Sequence, residues 1–348
     1  MASQKKLRYA IVGLGHIAQV AVLPAFAHAS RNSVVTAFVS DDPRKLRKLG
    51  ARYGVEHHYS YDEYDKCLKS GQLDAVYIAL PNLLHAEYSV RAARAGVHVL
   101  CEKPMAVTAG DCQRMIRAAE SGGVALMIAY RLHFEAANLR TIELLGEGRI
   151  GDPRIFNSCF TMDVRKGDTR LKRKKGGGSL YDIGVYCINA ARYLFRSEPT
   201  EVMAMSASRH DGRFNEVEDM IAATLRFPGG RLANFVCSFG ASDVAEYRVI
   251  GTKGNIRLEP AYGYAVELKQ YVQTGGEPRE RAFAKRDQFA AELSYFSDCV
   301  LGGRKPEPSG SQGLIDVRIV EALHRSAKTR RPVRLDLQPM ERRRHPSS

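Results

Sequence analysis

Apolar and polar positions follow two different rhythms along this chain. Over residues 1–130, short and nearly unbroken apolar runs alternate with segments of helical spacing. The runs Leu7–Val12, Val34–Val39, Ala75–Leu80, Val97–Cys101 and Val124–Ala129 read as strands covered on both faces, because a strand with one wet face alternates instead. Between them the spacing predicts helices after Gly15 through Phe26, and over Arg44–Tyr53, Tyr61–Ser70, His85–Ala95 and Asp111–Ser121. Strands alternating with helices specify a doubly wound parallel sheet.

Beyond residue 130 the rhythm changes. A helix over His133–Leu145 and a turn at Gly146-Glu147-Gly148 lead into longer, alternating runs: Arg154–Val164, Glu201–Ser208, Ile221–Phe227, Arg231–Phe239, Glu246–Gly251, Asn255–Glu259 and Ala265–Val272. Pro228-Gly229-Gly230 and Thr252-Lys253-Gly254 have hairpin composition, so these strands form a large, mostly antiparallel open sheet. Helices cover one face, and the other meets a ligand, a partner subunit or solvent. Helices over Asp287–Leu301 and Gly313–Lys328 and a strand over Pro332–Leu337 follow. The expected fold class is α/β: a doubly wound domain over 1–130, an α+β domain over 131–338, and a disordered tail over 339–348.

Composition narrows the classes. With 348 residues, 45% of them hydrophobic and 26% charged, the chain buries two ordinary cores. No apolar run approaches the roughly 18 residues needed to span a bilayer, and the polar start leads straight into a strand, so no membrane and no export are expected. Seven scattered cysteines without a Cys-x-x-Cys pair read as reduced thiols in a cytoplasmic protein, with no metal site. The net charge of +14 raises nucleic acid as a partner. Its visible clusters, Arg170–Lys175 and Arg342–Arg344, lack stacking aromatics and read as a solvated loop and a frayed tail, so no nucleic acid is expected.

Candidate chemistry lies where strands end, the ligand edge of open α/β sheets. Gly13-Leu14-Gly15-His16-Ile17-Ala18 stands between a strand and a helix, the setting a dinucleotide fingerprint requires. Gly13 permits the tight turn, Gly15 admits the pyrophosphate, and the helix N-terminus faces the phosphates. The second strand ends at Ser40-Asp41-Asp42-Pro43-Arg44-Lys45. A serine there donates to a 2′-phosphate that Arg44 or Lys45 neutralises, which favours NADP; Asp41 or Asp42 turned inward selects NAD. The next strand ends at Leu80, with Asn82 and His85 just beyond it, and His85 reads equally as a helix start without a ligand. Glu102-Lys103-Pro104 sets a carboxylate and an ammonium at the following strand end; alone it also fits a surface ion pair before a turn.

The second half holds one distinctive stretch, Gly176-Gly177-Gly178-Ser179-Leu180-Tyr181-Asp182-Ile183-Gly184-Val185-Tyr186. Ser179 reads as an N-cap, and Ser179-x-x-Asp182 as a capping box that leaves Asp182 without a chemical role. Alternatively Asp182 and Tyr186, four apart on one helix face, present a carboxylate and a phenol to a cleft. Oxidising an alcohol by hydride transfer needs a base for the hydroxyl proton. A tyrosine of pKa about 10 serves only beside a cation, for which Lys103 is the candidate.

Taken together, Gly13-Leu14-Gly15, Pro81-Asn82-x-x-His85, Glu102-Lys103-Pro104, Gly176–Tyr186 and Val249-Ile250-Gly251-Thr252-Lys253-Gly254 resemble the glucose-fructose oxidoreductase, inositol dehydrogenase and rhizopine catabolism superfamily from about Leu7 to Leu337. The resemblance implies an N-terminal Rossmann domain, a C-terminal open sheet often buried in dimers, NAD or NADP, and redox of sugars or cyclitols. The family lysine corresponds to Lys103 and its helix aspartate to Asp182. Tyr186 stands where many members carry histidine, which is similar to the glucose-fructose, aldose and dihydrodiol dehydrogenase branch. In that branch Ser40, Lys45 and Tyr53 match residues that hold the 2′-phosphate. The expectation is an NADP-dependent (NAD possible) oxidoreductase of an aldose or related polyol, forming a homodimer or homotetramer. Its catalytic set is Lys103, Asp182 and Tyr186; its cofactor set is Gly13, Gly15, His16, Ile17, Ser40, Lys45, Tyr53, Leu80, Asn82, His85, Glu102, Lys103 and Arg131, the last also positioning substrate. Another hydroxylated substrate (a dihydrodiol, cyclitol or amino sugar) and a non-catalytic NADP-binding regulator are the alternatives.

Overall fold

The apolar runs of the first third pair side by side in a computed structural model that describes residues 5–209 and 211–337. β1 (Leu7–Val12), β2 (Ser33–Val39), β3 (His57–Tyr59), β4 (Ala75–Ile78), β5 (His98–Glu102) and β6 (Leu126–Ala129) form an all-parallel sheet in the order β3-β2-β1-β4-β5-β6. The order reverses between β1 and β4, which opens a ligand crevice beyond their carboxyl ends. Between the strands run α1 (Leu23–His28), α2 (Pro43–Tyr53), α3 (Tyr64–Leu68), α4 (His85–Arg94) and α5 (Ala109–Ser121). Asp42 starts α2 by accepting the Arg44 and Lys45 N–H groups, and Gly54, at φ +65°, ends it.

Two expectations change here. The helix expected over Tyr61–Ser70 is only Tyr64–Leu68, because residues 60–63 form a turn: the Glu63 carboxylate accepts the Ser60 N–H, and Asp41 accepts the Tyr61 N–H. The strand β3 was not expected, since His57-His58-Tyr59 carries no apolar run and forms a half-buried sheet edge.

The alternating runs form a nine-stranded sheet in the order β14-β13-β12-β11-β7-β10-β9-β8-β15. Its strands are β7 (Pro153–Asp163), β8 (Glu201–Ala207), β9 (Met220–Phe227), β10 (Arg231–Ser238), β11 (Gly240–Gly251), β12 (Asn255–Glu259), β13 (Leu268–Gln273), β14 (Arg279–Phe283) and β15 (Val333–Arg334). All neighbours are antiparallel except β7 and β10. Both glycine turns make the expected hairpins. β14 escaped notice because Arg279-Glu280-Arg281 is charged on both faces, as suits a sheet edge.

Phe156, Leu225, Phe235, Tyr247, Val249 and Leu258 point from this sheet into its core. α6 (Ala136–Gly146) and α7 (Val185–Phe195) lie over that face, with the Tyr247 hydroxyl donating to Asn138 at 3.1 Å. The helix expected from His133 starts only at Ala136, because Glu135 is extended after a 3₁₀ turn at Arg131–Phe134. At the far end of α7, buried Arg192 grips Glu198 with two bonds of 2.6 and 2.7 Å. Breaking such a buried pair costs about 3–5 kcal/mol, which fixes the helix.

Chain contacts divide the molecule into two units. The first runs to Glu135 and also takes Lys174–Gly177 and Arg286–Arg318; the second holds Ala136–Arg173, Gly178–Lys285 and the chain from Ile319. Thus α8 (Gln288–Leu301), capped by Asp287, returns to the first unit, and α9 (Gly310–Thr329) is shared. The tail expected to be disordered, 339–348, and the Arg342–Arg344 cluster lie outside the described residues. Among the described residues no helix is long and apolar enough to cross a membrane, no His, Cys, Asp and Glu cluster suits a metal ion, and the seven cysteines are thiols outside any disulfide.

Candidate active site

In the first unit, β1 runs into a turn that only glycine permits. Gly13 has φ +95°, and a Cβ there would stand 2.7 Å from the Ala79 carbonyl oxygen and 2.9 Å from Leu80. A Cβ on Gly15 would meet nothing nearer than 4.0 Å, so a phosphate has room to approach the backbone. The exposed His16 and half-buried Ile17 follow, and the helix opens with a π-helical turn over Ala18–Val22 that carries no acidic side chain. The turn therefore fits a dinucleotide pyrophosphate.

At the end of β2, both acids that would select NAD if turned inward are occupied by the backbone. Asp41 accepts the Tyr61 N–H at 2.8 Å, and Asp42 accepts from Arg44 and Lys45 at 3.0 and 3.1 Å. These bonds, led by that from Lys45, hold the Asp42 carboxyl below the usual range. Ser40 is buried, with its hydroxyl 3.2 Å from the Asp42 N–H, and Lys45 Nζ lies 3.5 Å from Asp42. Tyr53 lies eight residues after Lys45, about 12 Å further along α2 at 1.5 Å per residue. The tyrosine brought to Ser40 is instead Tyr61, whose hydroxyl bonds to it; burial raises this phenol's pKa and the Ser40 bond opposes the rise. Nothing in the spacing pointed to Tyr61, because the turn that delivers it follows the unexpected β3.

Beyond β4, His85 is completely buried, with Nδ1 2.8 Å from the Pro104 carbonyl oxygen and Nε2 2.9 Å from that of Leu80. It ties the ends of β4 and β5 together, and burial depresses its pKa. Asn82 donates to the Gly176 carbonyl at 2.8 Å, which holds the glycine loop on the first unit. Glu102 is buried: Tyr77 donates to one oxygen at 2.8 Å and the Lys103 N–H to the other at 3.3 Å. Burial raises its pKa, while Lys103, Tyr77 and Arg131 act against the rise. Lys103 is half-buried, and Arg131 donates to Gln288 at 2.6 Å.

In the second unit, Ser179 is not an N-cap. It is fully buried in helical conformation (φ −60°, ψ −36°), and its hydroxyl faces Glu218 at 3.5 Å instead of the helix N–H groups. The capping box fails with it, and Asp182 receives a bond from Arg170 Nε at 2.8 Å. That pairing, chiefly the attraction of Asp182, raises the Arg170 pKa. The basic loop is thus partly neutralised, with Lys172 and Arg173 bonded to Glu216. Residues Leu180–Gly184 make a second π-helical turn, a rare geometry that recurs at functional sites. Tyr186 follows it, nearly buried, with its ring 5.7 Å from Phe160 and 5.9 Å from Tyr262.

Residues 7–130 match the oxidoreductase family with an NAD-binding Rossmann fold, and residues 139–257 match the GFO/IDH/MocA C-terminal domain. The chain belongs to the GFO/IDH/MocA oxidoreductase family. A D-xylose 1-dehydrogenase (NADP(+)) of Haloarcula marismortui is 33% identical over 343 residues, 96% of this chain and 95% of the relative. Among solved structures, the aldose-aldose oxidoreductase of Caulobacter crescentus, complexed with glycerol, superimposes with a TM-score of 0.91 and 42% identity over 95% of this chain and all of its own. A 3-ketoreductase of Actinomadura kijaniata, in complex with NADP and TDP-benzene, gives 0.84 and 28% over 92% and 98%. As a GFO/IDH/MocA member with an NAD-binding Rossmann unit, the protein is an NAD(P)-dependent oxidoreductase.

Proposed function

We propose that the protein is an NADP-dependent oxidoreductase of an aldose or related polyol. A bound nicotinamide supplies the hydride acceptor or donor. Tyr186 is the acid/base for the substrate hydroxyl, Lys103 stabilises the tyrosinate, and Asp182 and Arg131 position the substrate. The observation that carries this reading is the π-helical turn followed by a nearly buried Tyr186, four residues after an Asp182 already held by Arg170. A phenol among aromatic rings needs a neighbouring cation to work as a base near neutrality. Relatives named for D-xylose and for aldoses favour a sugar. Steady-state assays on a panel of aldoses, dihydrodiols, cyclitols and amino sugars test the substrate class. Turnover of an aldose with NADP supports it; turnover confined to another class, or cofactor binding with no turnover at all, overturns it.

The NADP preference rests on Ser40, Lys45 and Tyr61, with Asp41 and Asp42 engaged by backbone N–H groups. Ser40→Asp is expected to lower affinity for NADP relative to NAD by about 10- to 150-fold, the worth of a charge-assisted hydrogen bond of about 1.5–3 kcal/mol. Isothermal titration with both cofactors checks this; an unchanged ratio would remove Ser40 from 2′-phosphate recognition.

A homo-oligomer through the second sheet is part of the same reading. Its outer face carries Ile155, Met203, Met205, Met220 and Leu232, with Met205 74% exposed. Met205→Glu is expected to shift the protein towards monomer in light scattering, and a wild-type protein that is already monomeric would exclude the interface. Cysteines kept as thiols suit the cytoplasm. Fractionation that finds the protein outside it would overturn that placement.

A further inference from the structure

Helix α8 sets a second buried carboxyl against the sheet face that carries Glu102. In the parallel register Ile11 pairs with Tyr77 and Tyr77 with Leu100, so Tyr9, Tyr77, Leu100 and Glu102 share one face by two-residue alternation. α8 lies on that face: Ser297 Oγ is 2.7 Å from the Tyr9 hydroxyl, and Gln288 accepts from Arg131 at 2.6 Å. Glu292 stands one turn after Gln288 and therefore on the same side of the helix. It is completely buried, and among the described residues neither of its carboxyl oxygens has a hydrogen-bond partner. A native protein seldom leaves such a group without a purpose.

The groups that act on it come from each packed element: Glu102 from β5, Arg131 from the turn after β6, and Tyr77 and Tyr9 from β4 and β1. Burial pushes the Glu292 pKa well up, repulsion from Glu102 pushes it further, and Arg131 opposes both. Two carboxyls in one buried site do not both ionise freely, so the pair retains a proton. Glu102 and Arg131 stand at the ends of the strands across the switch point from the Gly13 turn and Ser40, the half of a Rossmann sheet that receives the second nucleotide.

Resting on the NADP reading above, we propose that Glu102 and Glu292 form a proton-holding pair whose protonation follows the charge of the bound nicotinamide. The pair gives up a proton when the cationic, oxidised cofactor binds, and recovers one when the cofactor is neutral. In the net reaction an alcohol and NADP⁺ yield a carbonyl, NADPH and one proton. Two electrons and the carbon-bound hydrogen pass to the cofactor, the hydroxyl proton leaves, and one carboxylate of the pair takes up a proton to become a carboxylic acid. Glu292 is thus a positioning residue that acts through Glu102, not a group that touches substrate.

The test compares dissociation constants of NADP⁺ and NADPH across about pH 6–9, between the ordinary carboxyl and lysine ranges. The 2′-phosphate titrates in both cofactors, so their ratio isolates the nicotinamide charge. In the wild type the ratio Kd(NADP⁺)/Kd(NADPH) is expected to fall as pH rises, by up to about tenfold per pH unit where the pair titrates. Glu292→Gln removes the second carboxyl of the pair, and the slope is expected to disappear. A wild-type ratio independent of pH, or the same slope in Glu292→Gln, overturns the proposal. If neither cofactor binds, the NADP reading itself fails, and the proposal with it. Infrared spectroscopy of the unaltered protein gives an independent readout should the variant not fold: a carboxylic C=O stretch present at neutral pH with NADPH and lost when NADP⁺ replaces it supports the pair, and a stretch that is absent with NADPH or the same with both cofactors overturns it.

Discussion

Tyr186→Phe is expected to lower kcat for aldose oxidation by about 10²- to 10⁴-fold, the usual worth of a general acid/base. The ring keeps its edge contact with Phe160 and its place beside Tyr262, so folding and aldose KM should change little. NADP affinity should not change, because the turns proposed to hold the cofactor belong to the other unit. Circular dichroism and cofactor titration establish that the variant is intact, and steady-state kinetics then read the loss. A variant that retained kcat within about threefold of wild type would exclude the hydroxyl from the proton transfer.

Lys103→Ala is expected to cost activity on the same scale, because negative charge developing on the reacting oxygens loses the cation that offsets it. Lys103→Arg should restore activity in part, since it keeps the charge with a different geometry. If the two residues serve one proton, Lys103→Ala added to Tyr186→Phe costs little beyond the single change. Fully additive losses would separate Lys103 from the phenol.

The parallel sheet is legible because strands buried on both faces leave unbroken apolar runs, as Ala75-Val76-Tyr77-Ile78 does. β3 and β14 leave no such record: His57-His58-Tyr59 and Arg279-Glu280-Arg281 lie at sheet edges, where little is buried. Ser179-x-x-Asp182 has the spacing of a capping box, yet neighbours distant in sequence decide its meaning. Glu218 and Cys237 enclose the serine, and Arg170 takes the aspartate. Tyr61 reaches Ser40 only through a turn that follows the edge strand. Glu292 is the least legible of all, because a glutamate on a helix ordinarily reads as a wet position and here lies under a sheet. Gly13 and Gly15 are the opposite case, since a strand, two glycines and a helix already dictate the turn.

Hydride transfer from a sugar is the central claim, and an isotope follows it most directly. The protein would be incubated with NADP⁺ and an aldose deuterated at every carbon, and the reduced cofactor weighed by mass spectrometry. One deuterium carried on the nicotinamide is the expected result, with none appearing when Tyr186→Phe replaces the wild type at equal times. Reduced cofactor without deuterium, or no reduced cofactor with any aldose tried, would contradict hydride transfer from the sugar.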